Sequence, residues 1–253
     1  MRGMLIHIDG STHEWIEGIP MQDLIVVLDD ADGKILYASF FPQEGTFSTL
    51  KALEHVLIRY GRFCELYHDR GSHFGRTSHA GEAPDEEQNG QVSRVSKTVG
   101  IRQIFARSPQ ARGRSERAFG TIQGRLPQEL RVSGISKYGK ANGYLQKIFV
   151  PKFNRQFTVK PAQEESAFVP LVGLDLKLLL SIQEERIVKN DNTVSYKNLV
   201  LQIPQTDQRP HYVRCPVIVH EFLNSTLGIS YQGRLLAEFD ADGVLIHRKK
   251  KAA

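Results

Sequence analysis

The chain reads as an α/β domain followed by a small all-β module, and three observations carry that expectation. Between residues 4 and 108, short apolar runs alternate with stretches whose apolar residues recur every three or four positions. From about residue 181 the apolar runs are all short and are split by Asn, Asp and Gly, which suits a small antiparallel barrel or sandwich. Between them, residues 150–180 contain Pro151, Pro161 and Pro170 and no sustained period. The expected division is 1–150 for the α/β domain, 151–180 for a connector and 181–250 for the β domain.

Taken in order, MLIHI (4–8) is a short buried strand ending at Asp9-Gly10-Ser11, where a turn is expected. DLIVVLDDADGKILYASFF (23–41) is a hairpin whose two apolar runs meet at Asp32-Gly33, a strong two-residue turn signal. TFSTLKALEHVLIRYG predicts a helix with Phe47, Leu50, Leu53, Val56, Leu57 and Tyr60 on one face and Gly61 as its stop. FCELYHD is another short strand ending in Asp69. Polar, Gly-containing 70–91 reads as a mobile loop leading into a short helix near 92–99. A strand over 101–108 follows, then a helix to about Leu130 and another over roughly 137–149. DADG occurs twice, at 30–33 and 240–243, without the further ligands and closing Glu of a calcium loop, so both are read as hairpin turns.

Composition narrows the function classes. With 33 Lys+Arg against 28 Asp+Glu the net charge is +5, which permits a nucleic-acid partner without requiring one. The two cysteines, Cys64 and Cys215, stand far apart without a CxxC, so neither a zinc site nor a disulfide framework is indicated, and a reducing cytoplasm suits them. No apolar run approaches the roughly 20 residues of a membrane span.

The helix containing ARSPQARGRSERAFGTIQGRL holds Arg112, Arg114, Arg117 and Arg125 around one acid, Glu116. Its apolar positions are Phe119, Ile122, Leu126 and Leu130, and stepping that stripe back by three lands on Glu116, at the core-facing edge. A carboxylate there is costly unless paired or metal-bound. Two readings stay open: pairing with Arg112 or a neighbour near the helix start, or ligation. Asp9 and Asp69 each follow a short apolar strand and are either turn formers or, if those strands are adjacent and parallel, two carboxylates converging at one sheet edge. Three acids with arginines close by suggest a divalent-metal site acting on phosphates.

At these residues the sequence resembles a known family. IDGSTHEWIEG (8–18), YHDRGSHF (67–74) and SPQARGRSERAFGTIQGRLPQELR (108–131) are similar to the three acidic motifs of DDE transposases with a retroviral-integrase-like core, and among these to the ISNCY-type insertion-sequence transposases. The resemblance covers about residues 4–160 well and the C-terminal part loosely. It implies a ribonuclease-H-like fold: a mixed five-stranded sheet with the hairpin 23–41 beside parallel strands, and helices on both faces. It implies Asp9, Asp69 and Glu116 as a catalytic triad holding Mg²⁺ or Mn²⁺, two ions in all. It further implies DNA as partner, both transposon ends and target, homo-oligomeric assembly on that DNA, and a bacterial cytoplasm with the nucleoid as location. Asp29 and Asp30 are the rival first acid but lie in a hairpin turn and match no motif.

Arg112, Arg114 and Arg117, with Lys137 and Lys140, are candidate DNA-phosphate contacts or plain solvated charges. His68, Ser72 and His73 beside Asp69 are read as turn chemistry and packing, with a proton-shuttle role as the alternative. Trp15 is read as a hydrophobic anchor rather than a base-stacking platform. Transposases of this kind usually carry a helix-turn-helix region ahead of the core, and here strand-like sequence starts within four residues of Met1, so the chain reads as lacking that part. Two rival functions remain: a non-catalytic DNA-binding remnant, and a structure-specific nuclease on the same fold.

Overall fold

The computed structural model describes residues 1–69, 74, 90–105, 113–205 and 209–246, with backbone alone for 113–115. The loop at 70–91 (save Phe74 and residues 90–91), His73, Ser72, Arg112, the Arg114 side chain and the basic C-terminal tail lie outside them. The chain divides between Leu174 and Asp175 into two compact units.

The first unit is a five-stranded mixed sheet in the order β3-β2-β1-β4-β5, made of β1 (Leu5–His13), β2 (Gln22–Asp29), β3 (Ile35–Phe41), β4 (Glu65–His68) and β5 (Arg102–Phe105). β2 lies antiparallel to both β1 and β3, whereas β4 lies parallel to both β1 and β5. Side chains alternate across the sheet. Leu24, Val26 and Leu28 of β2 therefore share one face, and they pack with Phe119, Ile122, Leu126 and Leu130 of α3 (Gly113–Val132). The same core takes in the helical segment 138–157. On the opposite face lie α1 (Thr46–Arg59), which packs on β2 and β3, and α2 (Gln91–Val99), which packs on α1.

Four sequence expectations change. First, β1 does not stop at Asp9: it runs through Gly10 and Ser11 to His13, because antiparallel pairing with β2 continues to His13 opposite Gln22. Ladder hydrogen bonds outweigh the turn preference of Asp-Gly-Ser. Second, the 30–34 connection is longer than a two-residue turn: Asp29 and Lys34 close it, with Asp29 N–H donating to Lys34 O at 3.0 Å, and Gly33 supplies a φ of +71°. Third, Phe47 does not join the buried stripe of α1; it sits in the first turn, 41% exposed. Fourth, residues 150–157 are helical.

That last change has a clear cause. α4 (Tyr138–Tyr144) passes into a π-helical turn (Leu145–Phe149) and then α5 (Val150–Phe157). Pro151 cannot donate a hydrogen bond, and its ring would crowd the carbonyl one turn back. Widening that turn, with Val150 N–H donating to Leu145 O, lets the helix pass through the proline. The rest of the expected connector is irregular but pinned to the first unit: Arg62 and Val169 exchange backbone hydrogen bonds at 2.8 and 2.9 Å, and Ala167 N–H donates to Arg2 O. Gly61, at φ +95°, ends α1 and lies so close to the Val169 carbonyl that a Cβ would collide with it.

The second unit opens with a short helix, α6 (Leu176–Leu179), capped by the Asp175 carboxylate. A four-stranded antiparallel sheet follows, in the order β11-β10-β9-β6, from β6 (Ile182–Ile187), β9 (Pro216–Glu221), β10 (Leu227–Tyr231) and β11 (Arg234–Phe239). The hairpin β7 (Thr193–Tyr196)–β8 (Leu199–Gln202) shares its core, which is built from Val194, Leu201, Val219, Ile229 and Phe239 among others.

Candidate active site

The parallel register of β1 and β4 is the starting point. Leu5, Ile6 and His7 stand opposite Glu65, Leu66 and Tyr67. Two residues further along come Asp9, still within β1, and Asp69, the residue immediately after β4, so the two carboxylates occupy equivalent steps along neighbouring parallel strands. Period-two alternation puts Asp9 with His7 and Ser11 on one face, and the pairing of Asp9 with Val26 and of Ser11 with Leu24 identifies it as the face covered by α3. Glu65 and Tyr67 of β4 share it, with the Tyr67 ring 4.9 Å from that of His7, and Asp69 follows Tyr67 at the next alternate position. Both aspartates are half-buried.

α3 runs alongside β1 in the same sense. Gln123 Nε2 donates to Ser11 Oγ at 2.9 Å. Further along, Pro127, Leu130 and Arg131 of α3 face Glu14, Trp15 and Glu17 across a cleft of 650 Å³. Trp15 is fully buried there, its indole N–H donating to Gln22 O at 3.1 Å, as the anchor reading requires. Ser11 and Gln123 were not among the candidate residues. The available signal was spacing: Ser11 follows Asp9 by one strand period, and Gln123 follows Glu116 by two helical turns.

Glu116 departs from its expected setting. Among the described side chains the buried stripe of α3 begins at Phe119, and Glu116, one turn earlier, is exposed rather than held at the core-facing edge. Among the described residues no three His, Cys, Asp or Glu side chains are gathered into a cation-holding group. Bringing three carboxylates together is opposed by their mutual repulsion unless a cation neutralises it. Three hard oxygen donors from β1, β4 and α3 are nevertheless the donor type that Mg²⁺ and Mn²⁺ favour, so the chemistry of the set fits such an ion.

The neighbouring candidates separate cleanly. His68 points to the other face, stacked on Phe74 at 3.7 Å, with its Nδ1 2.6 Å from Asp69 O. Asp29 is a buried structural acid, the last residue of β2 rather than part of the turn, accepting from Gly3 N–H at 2.8 Å and Ala31 N–H at 3.0 Å. Burial raises its pKa, against those two donors. Asp30 engages His7 Nε2 at 3.0 Å. Of the proposed DNA contacts, Arg117, Lys137 and Lys140 are exposed. Arg125 instead braces α5, donating to Gln156 at 2.8 Å and lying 5.3 Å from the Phe157 ring. Cys64 and Cys215 are free thiols.

Strand order, the antiparallel hairpin beside parallel strands and the helices on both faces define a ribonuclease-H-like fold of the retroviral-integrase type, carrying an added all-β unit. A chain of the simian T-cell lymphotropic virus intasome, determined in complex with a PP2A regulatory subunit, matches 100% of this chain and 81% of its own length at a TM-score of 0.50 and 11% identity. The catalytic core domain of HTLV-2 integrase, in complex with magnesium, matches 58% of this chain and 89% of its own length at a TM-score of 0.43 and 16% identity. No family model matches the chain.

In sequence the chain is similar to two transposases, one of them for an insertion sequence, in line with the resemblance of the three motifs. It is 32% identical over 251 residues to y4bF of Sinorhizobium fredii, a protein described as a transposase, covering 97% of this chain and 54% of that protein. It is 28% identical over 212 residues to the transposase for insertion sequence IS1202 of Streptococcus pneumoniae, covering 84% of this chain and 45% of that protein. The chain thus spans about half the length of these curated relatives. Among the described residues no helix is long and apolar enough to cross a membrane.

Proposed function

We propose that this chain is the catalytic part of a divalent-metal-dependent DNA transposase, cutting a DNA strand and joining the freed end to a target. The observation that carries the reading is the equivalent placement of Asp9 and Asp69 on one face of neighbouring parallel strands, under the helix that bears Glu116. The course of α3 supports the third member. Counting back from the Gln123–Ser11 contact, Glu116 lies two turns earlier, about 10 Å, and Asp9 one strand period earlier, about 7 Å. Because helix and strand run in the same sense, both steps lead toward the same level. The exposure of Glu116 leaves its carboxylate open to an ion and to DNA.

In this reading Asp9, Asp69 and Glu116 hold Mg²⁺ or Mn²⁺, a pair of ions whose chemistry is to activate the attacking oxygen and stabilise the leaving one. The oxygen of a water attacks phosphorus in line, the P–O3′ bond breaks, and the leaving oxygen takes up a proton as a free 3′-hydroxyl. That hydroxyl loses its proton and attacks a target phosphodiester, expelling the target's own 3′-oxygen, with no covalent protein intermediate. Arg117, Lys137 and Lys140, together with Arg112 and Arg114, supply charge for DNA phosphates, binding without sequence preference and weakening with salt. Assembly as a homo-oligomer on DNA in a bacterial cytoplasm belongs to the same proposal.

A nicking and strand-transfer assay with Mg²⁺ or Mn²⁺ tests it. Asp9→Asn is expected to lower cleavage at least a hundredfold while leaving DNA binding intact. Equal cleavage by wild type and Asp9→Asn would end the catalytic reading and favour a DNA-binding remnant. Preferential cutting of an RNA–DNA hybrid would favour a structure-specific nuclease.

A further inference from the structure

Away from the carboxylates, the outer edge of β3 meets α1 and the π-helical turn around a cavity of 370 Å³. Its wall holds Lys34, His55, Arg59, Tyr60, Gln146 and Lys147, and contains no Asp or Glu. The nearest acid on α1, Glu54, is paired with Lys51 at 2.7 Å and belongs to the rim of the adjoining cavity. Among the described residues, neither Lys34 nor Arg59 nor Lys147 forms an ion pair. Lys34 and Arg59 approach one ring, that of Tyr60, at 5.9 and 6.0 Å. Three like charges around one concavity raise its potential. His55 in the same wall has its pKa pushed down by burial first and then by the charge of Arg59, against Glu54. Surface cations are usually matched by carboxylates or scattered; here three without an ion pair line one cavity, beside an apolar stretch of wall from β3, and an oxyanion there would accept from guanidinium and ammonium donors together.

We propose that this cavity is a phosphate-binding site, with Arg59, Lys34 and Lys147 as its donors, distinct from the carboxylate site and from the DNA contacts on α3 and α4. The phosphate is either a backbone group of DNA or that of a small phosphorylated molecule, and one set of variants separates the two. Arg59→Ala, Lys147→Ala and the double variant are compared with wild type, using the paired Lys160→Ala as control. Labelled duplex DNA is titrated over a salt series, and inorganic phosphate and pyrophosphate are tested as thermal stabilisers. If DNA occupies the site, the slope of log K against log salt falls by about 0.9 for each contact removed, and Lys160→Ala leaves it unchanged. If the slope stays constant but phosphate or pyrophosphate raises the melting temperature of wild type and not of the double variant, the site takes a small phosphate. If neither changes, or if the variants change only the sedimentation of the chain, the assignment is overturned. Asp9→Asn alters neither readout in either case, so the outcome is independent of the catalytic reading.

Discussion

Ser11 and Gln123 show how much can rest on one polar contact. Their 2.9 Å hydrogen bond is a side-chain link between the strand bearing Asp9 and the helix bearing Glu116, and both residues are half-buried. Removing either partner strands the other beside the core, which costs more than the bond itself contributes, about 1–3 kcal/mol against about 1. Ser11→Ala and Gln123→Ala should therefore each destabilise in urea titrations, and the double variant should be less unstable than the sum, with a coupling of about 1 kcal/mol. If the two add independently, the contact does not form in solution. If the carboxylate reading holds, the same singles should also raise the Mn²⁺ concentration needed for half-saturation in a direct binding measurement, because α3 is then free to shift along β1. Gln123→Glu, which can still accept from the Ser11 hydroxyl, should recover stability, and its added negative charge beside the site should favour Mn²⁺ rather than oppose it.

At the scale of elements, the edge of the sheet needs protection, because an unpaired strand edge invites pairing with another chain. β3 is one of the two edge strands, and two asparagines of the 138–157 helical segment cover it. Asn142 accepts from Phe40 N–H at 2.7 Å and donates to Phe40 O at 3.1 Å; Asn154 does the same with Ile35 at 2.8 and 2.8 Å. Asn154→Ala leaves both Ile35 groups without these partners, so a loss of about 1–3 kcal/mol is expected, with faster aggregation on mild heating. Asn154→Asp keeps the acceptor and loses the donor, and should fall between. Unchanged stability in both would mean that water replaces the clamp at no cost. These contacts also show where sequence reading stops. The strands, the stripe of α3 and the shared face of Asp9 and Asp69 follow from local period plus one assumption about adjacency. The extension of β1 past Asp-Gly-Ser, the passage of a helix through Pro151 and the exposure of Glu116 do not. Each is decided by a partner distant in sequence: β2 for Ser11, β3 for Asn154, and the limit of the core for Glu116.

For the whole molecule, the two units hold separate apolar cores, one around the first sheet and α3, the other around Val194, Leu201, Val219, Ile229 and Phe239. A core is the unit of cooperative unfolding when few apolar contacts cross its boundary. Val219 is fully buried in the second, on β9 between β6 and β10, so Val219→Ala removes two methyl groups where the surrounding strands cannot collapse. The expected cost is about 2 kcal/mol, confined to that unit. Hydrogen exchange followed by mass spectrometry reads this out by segment. Protection should drop across 182–187, 216–221, 227–231 and 234–239 and stay at the wild-type level in β1 to β5. Loss of protection in both sets would show a single cooperative body. In the expected case, assays of the carboxylate face on Val219→Ala reveal whether the β unit contributes to DNA binding, because the first unit remains folded while the second is loosened.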